Sequence, residues 1–586
     1  MRALLLLAVL AVLPAHAQTV RYVDADAAGA ATGLSWADAF PALPAALAVA
    51  QPGDEVWIAE GTYTPTDGAD RAATFQLRSG VALYGGFAGD ETARDQRDWT
   101  SRPTILSGDI GVPGVTTDNS YHVVTGSGTD ASAVLDGVTI TGARADGAFP
   151  RNRGGGVRNV GGSPTLRHVV IRDNAAFRSP DNRDAFGAGM FNDAGSHPAL
   201  VDVRFERNVS AGVAGGMANR NGSHPVLVGV TFVENEAALL AGGMANDSGS
   251  SPTLVHVRFE RNRSDGWTGA LDNYQASSPT LVNVVFVGNE CQNYGGAITN
   301  DTGSNGRFVN VLVVGNVAHN VAAAGAAGMQ TNDSSPVLIG VTFVANRAGS
   351  GAGGLGHRGS GTTTLRNAVV WANGTELLDE SGGGFDVSHA LVAGGFAAGT
   401  AVLDADPLVV LAPDPGADGV WGTPDDAYGD LRLRAGSPAL DAADAAHLPP
   451  DTHDLDGDGD TAEPLPLDLG GALRVQGGGP DLGAYEGAVV VSTEPGPTAG
   501  GVRLGAAFPQ PGGGEITIPL DLGADALVDA FVVDALGRRV QTLERGVRAA
   551  GRRRLVWETG GVAPGAYAVI VEAGAARVAR RVVVAR

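Results

Sequence analysis

Eight times between residues 166 and 370 the chain repeats one spacing of apolar positions. Leu166, Leu200, Leu227, Leu254, Leu281, Phe308, Leu338 and Leu365 recur at intervals of about 27 residues. Three positions after each stands Val169, Val203, Val230, Val257, Val284, Val311, Val341 or Ala368. Five positions after stands Ile171, Phe205, Phe232, Phe259, Phe286, Val313, Phe343 or Val370. The last two columns alternate with polar Arg204, Thr231 and Arg258, as a strand with one buried face requires. A third apolar column, Val157, Met190, Met217, Met244, Leu271, Ile298, Met329 and Leu355, follows a run of glycines; its methionines read as core filler.

The odd Leu-to-Val offset needs a bend. Two positions after each leucine stand His168, Asp202, Gly229, His256, Asn283, Asn310, Gly340 and Asn367. These are residue types that tolerate left-handed backbone. His168 and His256 are read as turn residues rather than ligands. Eight positions after the leucine runs Asn174, Asn208, Asn235, Asn262, Asn289, Asn316, Asn346 and Asn373. A second column runs Asn159, Asn192, Asn219, Asn246, Asn273 and Asn300 before drifting to Thr331 and His357. Stacked in register, these amides can bond along the stack as ladders. Three apolar columns separated by turns predict three short strands per rung. The fold class is therefore all-β, a right-handed parallel β-helix, followed by a small C-terminal β-sandwich.

Residues 1–17 read as a signal peptide, with Arg2, the apolar run Leu4 to Leu13, Pro14, and Ala15-His16-Ala17 before cleavage at Gln18. Residues 18–150 are expected to form an N-terminal cap helix over Ala42–Ala50, with Ser35 as candidate N-cap, and irregular first rungs. Regular rungs occupy 151–375. Residues 376–487 are closing rungs and a C-terminal cap with acidic loops, 488–500 a linker, and 501–586 a terminal domain. In that domain Ile516/Ile518/Leu520 and Val528/Phe531/Val533 suggest alternating strands.

Charge narrows the partners. The net charge is −23, and all 40 basic residues are Arg. From residue 500 onward 12 Arg face 8 acids, so residues 1–499 carry −27. Such a body repels phosphates, which argues against a nucleic-acid partner, and suits divalent cations. No apolar run reaches the roughly 20 residues of a membrane helix, so no transmembrane segment is expected after signal removal. The single cysteine, Cys291, excludes an intramolecular disulfide and reads as a structural thiol.

Gly295-Gly296-Ala297-Ile298 and Phe286-Val287-Gly288-Asn289 resemble the GGA(I/L) and FxxN pairs of polymorphic outer-membrane protein repeats. Asp406-Pro407-Leu408, Gly436-Ser437-Pro438-Ala439-Leu440-Asp441 and Asp481-Leu482-Gly483-Ala484-Tyr485-Glu486 resemble the closing segment of bacterial β-helix proteins with surface-anchor variants. The resemblance implies an extracellular, pectate-lyase-like solenoid and says nothing of activity. Ala507-Phe508-Pro509-Gln510-Pro511, Val533-Asp534-Ala535-Leu536-Gly537-Arg538 and Gly565-Ala566-Tyr567 resemble the type IX secretion system sorting domain, with Gln510 where that family usually has Asn. That resemblance implies the type IX machinery as a partner through residues 501–586. It places the chain at the outer-membrane surface of a Gram-negative bacterium, or secreted from it.

Chemistry is sparse. Asp454, Asp456, Asp458 and Asp460 match the first half of a calcium loop, where alternating carboxylates converge on a hard cation, so Ca²⁺ is the candidate cofactor. Leu465 stands where an EF-hand has Glu, which excludes a complete EF-hand. Asp414, Asp418, Asp425 and Asp426 form a second acidic cluster. The insert Arg178 to Asp184, with Arg263, Asp265 and Trp267, offers charged loops on one side of the stack, but no lyase or hydrolase signature accompanies them. No catalytic residue is assigned. The sequence favours a non-enzymatic adhesion or glycan-contact protein, with a polysaccharide lyase or glycoside hydrolase on the same scaffold as the alternative.

Overall fold

The computed structural model describes residues 18–319, 325–382, 384–423, 425–487, 502–504, 515–533, 538–559, 562, 565–573 and 576–584. The expected signal peptide, the linker and the motif Ala507–Pro511 lie outside the described residues. The chain divides into two compact units, one up to Val489 and one from Val490.

The first unit is a parallel β-helix. Leu166, Leu200, Leu227, Leu254, Leu281, Phe308, Leu338 and Leu365 pair in strict register, and the column continues to Leu135 and Leu83 on one side and Val387 on the other. The helix therefore extends well beyond 151–375. Phe205, Phe232, Phe259 and Phe286 stack face to face along the axis at 4.7–4.8 Å, the natural rise between neighbouring strands.

Every residue of the bend column has left-handed φ, from 50° at His168 to 67° at Gly229, and His389 at 52° continues it. The bend keeps the Leu strand and the Val/Phe strand in one kinked sheet of 22 strands. Each regular rung also has a fourth strand that the hydrophobic pattern did not show. It is two residues long and forms an eight-stranded sheet through Ala145, Ala176, Ser210, Ala237, Ser264, Cys291, Ala318 and Ala348. Strands so short, lined by small side chains, leave no periodic signal. Cys291 fills this column, and burial pushes its thiol pKa up; it is an inert core residue.

Both Asn columns are bonded from rung to rung. Each amide from Asn174 to Asn346 donates to the next Oδ1 at 2.9–3.0 Å. Asn373 ends the ladder on Glu376, whose carboxylate accepts both its Nδ2 and its backbone N–H. The second ladder runs at 2.8–3.0 Å from Asn159 to Asn300.

At the N-terminus the helix spans Leu43–Val49 and sends Leu43, Ala46 and Leu47 into the core. Ser35 is not its cap. Its hydroxyl accepts from Asp38 N in an earlier turn, while the helix starts at Ala42 without a side-chain cap. Tyr22, Trp36, Trp57 and Phe87 pack together beside it.

Residues 404–487 do more than close the end: they turn back along the kinked sheet. Ala484 N donates to Thr342 Oγ1, Gly483 N to the Asn367 carbonyl, and Asn310 Nδ2 to the Leu467 carbonyl. The reason lies in the outward positions. Early rungs present Arg204/Glu206 and Arg258/Glu260, whereas later ones present Val285/Val287, Leu312/Val314 and Val369/Trp371. This apolar stripe is covered by Trp421, Tyr428, Leu431, Leu433 and Leu482. Arg474 and Glu486, both fully buried, lie 3.2 Å apart and pin the segment.

The second unit is an antiparallel β-sandwich. One sheet holds Val502–Leu504, Glu515–Leu522 and Gly551–Glu558, and the other Arg539–Arg548, Ala526–Val533, Gly565–Ala573 and Ala576–Val584. Ile516, Ile518 and Leu520 share its core with Trp557, Val569 and Val582. Val528 points inward with Ala530 and Val532, not with Phe531 and Val533. The spacing of three from Val528 to Phe531 places them on opposite faces, and Arg539 covers the Phe531 ring.

Candidate functional site

The sheet that carries the Met column presents its alternate residues outward: Arg158, Phe191, Ala218, Ala245, Asp272 and Thr299. The preceding turns fold alongside it, with Arg153, Phe186, Val213 and Leu240 bridged in register. At its first rungs this face becomes an arginine ledge. Arg153 lies 4.6 Å from the Phe186 ring and 4.8 Å from Phe149, Arg220 covers Phe186 at 4.7 Å, and Arg183 covers Phe149 at 4.9 Å. Arg220 and Arg183 are paired with Asp247 and Asp181. Arg153 and Arg158 are partly buried, each with a buried Nε lacking a hydrogen-bond partner, and among the described residues neither has a carboxylate in ion-pair range. Burial first, then the like charges of Arg220, Arg183 and Arg158, holds the Arg153 guanidinium below its usual range against the pull of Asp193. Arg158 is held down by burial. In a chain of net charge −23, these arginines gather on aromatic walls.

Further along the same face, Asp272 replaces the alanines of its column. It is buried, and the Thr268 hydroxyl lies 3.0 Å from its carboxylate and 2.8 Å from the Thr299 hydroxyl. Desolvation raises the Asp272 pKa to about 7. Trp267, exposed, meets Tyr294 edge to face at 4.8 Å nearby.

The bend column forms a second surface. His168 Nδ1 lies 2.9 Å from Asp136, its Nε2 3.7 Å from Asp202, and its ring stacks on Trp99 at 4.4 Å. Asp136 is held by Arg97 at 2.9 Å. Trp99, His168 and Asp202 line a groove of about 450 Å³ with Thr139 and Arg204. His168 is thus a turn residue and also an imidazole oriented by a buried carboxylate, a pairing across columns, since the register partner of Asp136 is Arg167. His256 has no such partner among the described residues.

Of the calcium-loop residues, Asp454, Asp456 and Asp458 bring their carboxylate oxygens within 4.8 Å of one another. Asp460 is not among them; its Oδ1 accepts from Ala462 N in a local turn. Asp451 and Glu463, which the spacing did not single out, form a second group with Asp456. Desolvation, then the charges of Asp458, Asp456, Asp460 and Asp451, raises the Glu463 pKa. Asp414, Asp418, Asp425 and Asp426 cap their own turns through Gly416, Val420, Ala417 and Gly422 N–H groups. The insert pairs internally, Arg178 with Asp184 and Arg183 with Asp181. Arg263 bonds Asp265, and that pair lies three rungs from the insert, about 14 Å along the axis at the usual strand rise. These charges do not converge on one cleft.

No family model matches the sequence, and no curated protein matches it. A solved structure described as the crystal structure of pectate lyase Pel9A aligns at TM-score 0.40 with 15% identity, over 80% of this chain and 96% of that one. The β-helix assignment rests on the strand pairing of this chain.

Proposed function

We propose that the protein is an exported, non-enzymatic β-helix that contacts anionic glycans through the arginine ledge of its Met-column face. The supporting observation is the cluster of Arg153 and Arg158, partly buried and, among the described residues, without carboxylate partners, with Arg153 over Phe186 and Phe191. Guanidinium groups bind carboxylate or sulfate in forked geometry. By the resemblance of residues 501–586, export proceeds through the type IX machinery to the outer-membrane surface. Ca²⁺ bound between Asp454, Asp456 and Asp458 belongs to the same reading, as a brace for the acidic loop. A glycan array probed with residues 18–490, with and without Ca²⁺, tests the proposal. Uronate or sulfated chains should bind, more weakly at high salt and not at all in Arg153→Ala/Arg158→Ala. Silence, or binding to neutral glycans alone, would overturn it.

A second reading has its own observation. His168, oriented by Asp136 above Trp99, is placed as a general base would be in a polysaccharide lyase or hydrolase. Release of reducing ends from acidic polysaccharides, abolished in His168→Asn, would favour it over contact alone.

A further inference from the structure

Where the returning segment meets the last full rungs, three metal-ligating side chains of two types converge from two separate stretches of chain. His389 occupies the bend column on the strand Phe385–Val392, held at φ 52°. Asp444 and His447 lie on the returning segment, at the N-cap and the end of the 3₁₀ turn Ala445–His447. One ligand atom from each lies within 4.8 Å of the other two, and Asp444 Oδ2 is 3.8 Å from His447 Nε2.

The placement is enforced from below. Asn367, one rung earlier in the same bend column, clamps the Asp444 backbone twice: its Oδ1 accepts from Asp444 N at 2.9 Å and its Nδ2 donates to the Asp444 carbonyl at 3.0 Å. Asp444 Oδ1 then caps Ala446 N, which leaves Oδ2 facing the imidazole. Ser388 Oγ sits between the rings, 2.9 Å from His389 Nδ1 and 3.5 Å from His447 Nε2. All three ligating residues are partly exposed, so an ion can enter. Arg366, the cation nearby, is paired with Asp386 at 2.5 Å.

We propose that His389, Asp444 and His447 bind a divalent transition metal of the Zn²⁺ class, leaving its fourth position to Ser388 or water. Two imidazoles and one carboxylate suit such ions rather than Ca²⁺ or Mg²⁺, which prefer all-oxygen sets. Bound there, the ion ties the returning segment to the last rungs of the β-helix. It stands apart from the glycan contact and from the acidic loop.

Tag-free residues 18–586 titrated with Zn²⁺ in excess Ca²⁺, which occupies the acidic loops, should take up one equivalent at this site. Co²⁺ in its place should give a visible absorption band. His389→Asn keeps a residue type the bend column already uses, and His447→Gln keeps the 3₁₀ turn; each should weaken Zn²⁺ binding at least tenfold and remove the Co²⁺ band. Zn²⁺ should slow proteolysis within 404–487 in the parent and not in either variant. Absence of stoichiometric Zn²⁺ binding, or binding that survives both substitutions unchanged, would overturn the proposal.

Discussion

Single residues carry most of what makes this stack specific. Asn262 donates to Asn289 Oδ1 and to the Phe232 carbonyl, and accepts from the backbone and amide of Asn235. Asn262→Ala leaves several buried groups unpaired, and each such group costs about 1–3 kcal/mol. We expect a loss of about 3 kcal/mol in urea unfolding, against a smaller loss for a surface Asn such as Asn221. Asp272 gives the chain a pH dependence. Its folded-state pKa of about 7 lies above the ordinary carboxylate value of 3.8 because burial disfavours the charge, so the folded chain holds that proton more tightly than the unfolded one. The stability this confers is complete below about pH 4 and is lost as pH rises towards 7. Asp272→Ala, which matches Ala245 in the same column, should remove that loss. Relative to the parent it should gain on the order of 3–4 kcal/mol between pH 4 and pH 8, read from urea midpoints. An equal pH dependence in the two proteins would refute the assignment.

At the scale of elements, the returning segment is held by a buried ion pair and an apolar stripe. Desolvation raises the Glu486 pKa, opposed by Arg474. Arg474→Met strands that carboxylate without its partner, which typically costs 3–5 kcal/mol for a buried pair. Limited proteolysis should then cut within 404–487 while the rungs from 151 to 375 stay intact; unchanged protection would show that the stripe alone holds the segment. This element was the least legible in the sequence. Its motifs suggested a cap, and only the change from Arg258/Glu260 to Val285/Val287 and Leu312/Val314 on the outward face hinted at a cover. The acidic loop was half legible. Spacing of two predicts that Asp454, Asp456, Asp458 and Asp460 converge; the first three come together without Asp460, and Asp451 and Glu463 join Asp456 from outside the motif.

At the scale of the whole chain, the two units have separate cores. Removing residues 490–586 should therefore leave the melting temperature of residues 18–487 within about 2 °C, measured by near-UV circular dichroism. A large fall would mean that the β-helix depends on the terminal sandwich. Adding Ca²⁺ should raise the melting temperature of residues 18–487 by mass action if the acidic loop binds it, and Asp456→Asn, which removes the carboxylate common to both groups, should abolish the rise.

What the sequence determined by itself was whatever repeats. A solenoid rung contacts its own copies, so each column meets itself one rung on, and spacing in the chain becomes spacing in space. The Leu, Phe and Met columns, the left-handed bend and both Asn columns were readable for that reason. The fourth strand was not, since two small residues leave no period. Nor were the sites. Asp136 with His168 and His389 with Asp444 each join residues that share no column, brought together by the bend or the returning segment. Only the tertiary structure decides such neighbours, because their proximity is set by how the chain leaves the repeat and comes back to it.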